Sequence, residues 1–196
     1  MHISIEGFDG VGKSTVSKIL AERLGFRFVE KPLKNLLDPD GGYDEYLRIR
    51  DYFNKVSPEN RPLSACFYGL GNLYLYEAFK DYDIVTDRHI LSNYAWSYGE
   101  ASADLFDVFY KILGAPDFTF ILYADKTAVT NRLEKRDHED PDLEKITKHE
   151  VIYSRMEFFA KKHRMPYRFI DTTDTSPEDV VDKMMDDLAK RGIIDG

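Results

Sequence analysis

The sequence predicts a three-layer α/β domain, a parallel sheet of about five strands with helices on both faces. Three observations lead there. Residues 1–6 form a β-favouring run that breaks at Gly7, and beyond a glycine-rich stretch Val16, Ile19, Leu20 and Leu24 recur at helical spacing. Apolar runs of strand length follow at 26–29, 84–86, 118–122 and 167–170. Helical patterns over 43–55, 62–80, 89–113, 126–136, 145–163 and 177–191 separate them, and that alternation is the pattern of parallel sheets.

Each element has a local reason. Gly25 supplies a C-terminal stop for the first helix. The last helix opens with Ser176 as N-cap, Pro177 in the first turn and Asp179 at the third position, and its apolar residues Val180, Val181, Met184 and Leu188 share one face. The charge-dense stretch 134–148 reads as a polar loop between two helices, a short lid. With no repeat, linker or low-complexity tract, the expectation is one domain over 1–196.

Composition narrows the class. The chain has 196 residues, 27 Lys and Arg against 35 Asp and Glu, and a net charge of −8. That acidic balance argues against a broad surface for nucleic acid or anionic membrane, so neither is an expected partner. Ser4, Glu6 and Asp9 interrupt the N-terminal run too early for a signal peptide, and no window has the length of a membrane span. Cys66 stands alone, so no intramolecular disulfide or thiolate zinc site is available, and the five His supply no substitute. A soluble, cytoplasmic protein is the expectation.

The chemistry begins at Gly7-Phe8-Asp9-Gly10-Val11-Gly12-Lys13-Ser14, which satisfies G-x-x-x-x-G-K-[ST]. Gly7, Gly10 and Gly12 allow a backbone whose N–H groups, with those of Val11 and Thr15 and the helix N-terminus, converge on a polyphosphate. Lys13 can reach the β- and γ-phosphates and the Ser14 hydroxyl can ligate Mg²⁺, so ATP and Mg²⁺ are the expected cofactors. The alternative is a glycine-rich turn with no ligand; the strand before and the helix after argue against it. No N-K-x-D segment specifies guanine, and the chain is short for a mechanical ATPase, whereas a small-molecule kinase fits. After the third strand comes Asp87-Arg88-His89-Ile90-Leu91-Ser92-Asn93-Tyr94-Ala95-Trp96. Asp87 at a strand's carboxyl end can hold Mg²⁺ or its waters, and Arg88 can bridge donor and acceptor phosphates. A structural Asp–Arg pair at a helix start is the alternative.

These motifs resemble thymidylate kinases: the loop 6–15, and Asp87, Arg88, His89, Ser92, Ala95 and Trp96 at that family's spacing. Pro116-Asp117 and Asp171-Thr172-Thr173 are similar too. The resemblance implies that Asp9 holds the deoxyribose 3′-hydroxyl, that Asp87 supports Mg²⁺, and that Arg88 clamps the acceptor phosphate. It places Asn93 near the base edge, Trp96 against the sugar and Arg50 on the acceptor phosphate, and it implies a homodimer packed through long helices. A loop with Gly10 beside Asp9 goes, in that family, with arginines from a lid; Arg136 is the first choice, with Arg132 beside ATP and Arg155 following the polar stretch. The alternative is an exposed basic face paired to Glu134, Asp137 and Glu139.

The sequence departs from the family twice. The helix that would carry a base-pairing Arg and a preceding Phe holds Phe67 and Leu63 in their places. Phe67 or Tyr68 could stack on a base, or both could be core aromatics. The second strand ends Val29-Glu30-Lys31-Pro32, which opens a rival: a deoxynucleoside kinase with Glu30 deprotonating a 5′-hydroxyl. The leading expectation is a kinase for a deoxypyrimidine monophosphate such as dTMP. A nucleotide-binding protein without turnover is the reading from another class.

Overall fold

The N-terminal run becomes the central strand, with both of its faces covered. In the computed structural model, which describes residues 1–56 and 61–195, Ile3 and Ile5 of β1 (His2–Gly7) are fully buried, and so are Ser4 and Glu6 on the opposite face. Around β1 lie β2 (Arg27–Glu30), β3 (Ile84–Asp87), β4 (Phe118–Tyr123) and β5 (Tyr167–Asp171), in the order β2-β3-β1-β4-β5 with every neighbour parallel. A parallel sheet is covered on both faces, which is why β3 and β4 read as continuous apolar runs.

Helices α1 (Lys13–Leu24) and α9 (Pro177–Lys190) pack on each other, α1 also against β1, β2 and β3. A second group, α4 (Arg61–Phe79), α5 (Ile90–Ser97), α6 (Glu100–Leu113) and α8 (His149–Lys162), packs together with α5 against β1. This is the expected three-layer architecture. A main core runs through the sheet and both groups of helices, with Phe8, Phe106, Phe118, Phe120 and Phe159 its largest fully buried side chains.

The structure differs from the sequence expectation in three places. The helix expected over 89–113 is two helices, because Tyr98 and Gly99 are extended and the Ser102 hydroxyl starts α6 by donating to the Ser97 and Gly99 carbonyls (2.8 and 3.0 Å). After α7 (Lys126–Arg136), the stretch expected to begin a helix at 145 is a tight 3₁₀ turn, Leu143–Lys148, that leads into α8. An unexpected short helix, α2 (Pro32–Leu37), starts at a proline and buries Leu33. With α3 (Asp44–Val56) and α4 it encloses a separate apolar cluster of Leu33, Tyr46 and Phe67. Among the described residues no helix is long and apolar enough to cross a membrane.

Candidate active site

The carboxyl ends of β1, β3, β4 and β5 converge, and the loop between β1 and α1 sits at that convergence. Gly7 has φ +141°, and a Cβ there would lie 2.4 Å from the Leu122 carbonyl oxygen, so the two strands approach as closely as they do only with glycine. Gly12 has φ +92° with open space beside it; its reason for being glycine is conformational. The loop is tied from several sides. The Phe8 N–H donates to the Tyr153 hydroxyl (3.2 Å), which donates to the Leu122 carbonyl (2.7 Å), and the Thr172 hydroxyl donates to the Val11 carbonyl (3.1 Å). The buried Lys13 ammonium donates to the Phe8 carbonyl at 2.5 Å, while Ser14 and Thr15 stand exposed on the first turn of α1.

Ser14 and Asp87 meet across the β1–β3 junction: the Ser14 hydroxyl donates to Asp87 Oδ2. Asp87 Oδ1 is buried and has no hydrogen-bond partner. A buried carboxylate oxygen left unpaired beside a hydroxyl is costly by itself and fits a hard cation or its bound water.

Arg88 follows directly, with its backbone in the left-handed region at φ +73°, a strained state for a long side chain. Its guanidinium spans the site, donating to the Gly7 carbonyl (3.3 Å), to the Ser92 hydroxyl (3.1 Å) and to Asp9. Asp9 also faces the Lys145 ammonium at 3.8 Å, from the 3₁₀ turn. Burial pushes the Asp9 carboxyl up, but Arg88, Lys13 and Lys145 outweigh it and hold it well below the usual carboxylate range. Burial lowers Lys13, the Arg88 charge lowers it further, and Asp9, Asp87 and Glu6 pull it back, leaving it at about 8.

On the acceptor side, Trp96 packs on Phe8 (5.5 Å between ring centroids) and lies under the Lys145 ammonium (5.5 Å). Asn93 donates to the Tyr68 carbonyl (3.3 Å) and contacts the Asn72 side chain. Burial raises the Tyr68 phenol, while its hydrogen bond to Asn54 (3.1 Å) and the charges of Arg50, Lys145 and Arg88 work against that; Arg50 itself bonds to Asp51 (2.6 and 2.9 Å). Glu30 stands opposite Asp87 in the β2–β3 register and pairs with Lys31 (2.7 Å).

Other expected residues are placed elsewhere. Phe67 is 6% exposed and stacked on Phe53 (4.2 Å, 16°), so that ring face is filled by protein. Arg136 is occupied by Asp140 (2.5 Å) and Asp142 (2.7 Å), not by Glu134, Asp137 or Glu139. Arg155 donates to the Ala95 carbonyl (3.0 Å) and covers the Tyr98 ring, which makes it a brace between α8 and α5. Arg132, expected beside ATP, donates to the Thr172 and Thr173 carbonyls (2.5 and 2.9 Å). The sequence reading missed Lys145, Tyr153 and Glu6. Tyr153 lies four residues after the fully buried His149, and that polar pair on an apolar helix face was the available signal.

A family model described as thymidylate kinase matches residues 5–184. The chain is 31% identical over 207 residues to a thymidylate kinase of Mesomycoplasma hyopneumoniae strain J, covering 97% of each. Among solved structures it resembles thymidylate kinase from Candida albicans, with TM-score 0.72 and 19% identity over 97% of this chain and 92% of that one. A deoxyadenosine kinase from M. mycoides gives TM-score 0.69 and 18% identity, over 97% and 100%. At these identities the solved structures show the fold.

Proposed function

This chain belongs to the thymidylate kinase family and is a phosphotransferase, and we propose that it moves the γ-phosphoryl group of ATP to a deoxypyrimidine monophosphate such as dTMP. One observation carries the reading: Arg88 and Asp9 are joined at the boundary between the phosphate loop and the α5 face that presents Asn93 and Trp96. That is where a donor phosphate and an acceptor phosphate would meet.

The loop amides and Lys13 hold the triphosphate, and Arg88 bridges the γ-phosphate and the acceptor phosphate. The bond from the γ-phosphorus to its β-bridging oxygen breaks as an acceptor phosphate oxygen bonds to that phosphorus. The acceptor is already an anion, so no base is required. Ser14 and Asp87 would hold Mg²⁺, which would supply charge neutralisation on the phosphates. Asp9, freed in part from Arg88, accepts the 3′-hydroxyl; Trp96 disfavours a 2′-hydroxyl, and the stretch 134–148 covers the site as a lid carrying Arg136 and Lys145. The whole chain acts as one domain. Exposed Leu70, Val108 and Ile112 on the paired helices α4 and α6 support a homodimer, which sedimentation would test.

The register of Glu30 beside Asp87 favours a second reading, phosphorylation of a nucleoside 5′-hydroxyl with Glu30 as base. Coupled ADP release on matched panels of nucleosides and nucleoside monophosphates separates the two. Turnover on dTMP or dUMP supports the first; turnover on nucleosides alone makes Glu30 the base and overturns it.

A further inference from the structure

Glu6 is the last side chain before the loop's first glycine, and it is fully buried. Nothing in the transfer chemistry uses it. Yet it carries the densest set of hydrogen bonds in the site. Oε1 accepts the His89 N–H (3.0 Å) and the Leu91 N–H (3.1 Å), while Oε2 accepts the Ser92 N–H (3.1 Å) and the Ser92 hydroxyl. Helix α5 has no side-chain cap of its own. A carboxylate from the central strand therefore caps it, satisfying orphan N–H groups and facing the positive end of the helix.

The Ser92 hydroxyl has one proton. Spent on Glu6, it leaves the oxygen's lone pairs turned outward, and the Arg88 guanidinium donates to that oxygen at 3.1 Å. We propose that Glu6 is a positioning residue for transfer: through the Ser92 hydroxyl and the capped start of α5 it aims the Arg88 guanidinium at the reacting phosphates. This rests on the bridging role given to Arg88 above. Three of the four partners of Glu6 are N–H groups and can only donate, so the carboxylate alone satisfies all of them. Burial pushes its carboxyl up, and the bonds from Ser92 and Leu91 with the charge of Arg88 work against that. The arrangement also gives a physical reason for a serine four residues after Arg88: Arg88 leaves the strand in a left-handed conformation, and its side chain turns back over the first turn of α5.

Glu6→Gln keeps the shape and reverses the polarity. An amide NH₂ now faces the Ser92 N–H and hydroxyl, the hydroxyl becomes an acceptor, and its proton turns towards Arg88. The expected result, measured at about pH 6 where Lys13 stays protonated with or without the Glu6 charge, is a fall in kcat on the order of 100-fold with the KM for ATP unchanged, since the loop and Lys13 keep their contacts. Ser92→Ala, which leaves the three backbone bonds to Glu6 intact and so preserves the fold, should lower kcat by about tenfold. In the double variant the two losses should be far from multiplicative, because both act through one hydroxyl. A purely structural Glu6 would lower Tm while leaving kcat per folded molecule as it was. The second readout is the Arg88 side-chain ¹⁵N–¹H NMR signal, identified by its loss in Arg88→Lys. It should shift in Glu6→Gln and in Ser92→Ala whether or not a substrate has been found. Turnover absent in the unaltered protein would defeat the function proposed above and leave this signal to decide. An unmoved Arg88 signal, an unchanged kcat in Ser92→Ala, or multiplicative losses would overturn the positioning role.

Discussion

From Gly7 to Ser14 the ligand-facing groups are set by backbone: positive φ at three glycines, with the loop roped to β4, β5 and α8 by Tyr153 and Thr172. On α3 and α4 the surface is made by side chains of two helices that share a small aromatic cluster, and α3 buries only Tyr46. Backbone conformations tolerate few sequences; aromatic clusters of similar volume tolerate many. On the proposed function the loop is the donor half and the two helices the acceptor half, and the first can keep its glycine pattern while the second varies at positions such as Leu63 and Phe67.

Substitutions in each half test that contrast. The largest effect is expected from Lys13→Ala, which should lower kcat by about 10²–10³-fold in coupled ADP release while the far-ultraviolet spectrum stays unchanged. A rate equal to that of the unaltered protein would take Lys13 out of the chemistry. Asp9→Ala lies on the boundary between the halves. It should raise the acceptor KM by about tenfold and leave the KM for ATP nearly constant, since one charged hydrogen bond to the sugar is lost. If both KM values rise together, Asp9 serves mainly to hold Arg88.

In the acceptor half, Phe67→Ala should cost about 3 kcal/mol of stability, read as a lower denaturation midpoint, because it empties the space stacked on Phe53. At a temperature where the variant is folded, its acceptor KM should stay within about twofold of the original. A large KM change with little loss of stability would make Phe67 a base-stacking residue after all.

A pH dependence is expected in the donor half. Lys13 must be protonated to hold phosphate, and its folded value is about 8. The kcat/KM for ATP should therefore decline above about pH 8, roughly tenfold per further pH unit. The stability effect runs the opposite way. A lysine whose folded value is depressed penalises folding below that value, and the penalty fades as pH rises towards the value of the unfolded chain. Lys13→Met should consequently raise Tm at pH 7, with the gain shrinking above about pH 8. A gain constant from pH 7 to 10 would show that Lys13 titrates normally.

Much of the donor half was legible because local patterns carry it. The glycine spacing, Lys13 and Ser14 are a contiguous string, and Asp87-Arg88 follows directly from a run of strand residues. Glu6 was visible as a carboxylate in an apolar strand, but its partners, His89 and Ser92, lie more than eighty positions away. Lys145 and Arg136 illustrate the same limit. Both are cations in one charged stretch and both pair with Asp142, and periodicity has no means of saying that Lys145 also reaches Asp9 while Arg136 is held by Asp140.

By itself the sequence determined the layered sheet, the phosphate loop and the family, because apolar periodicity and glycine conformational freedom are properties of neighbouring residues. Which distant groups meet was settled only by the folded chain: Asp9 with Arg88 and Lys145, Glu6 with the start of α5, Phe67 with Phe53. Ion pairs, caps and ring stacks depend on distances of a few ångströms between residues far apart in the chain, and those distances exist only once the strands have taken their places.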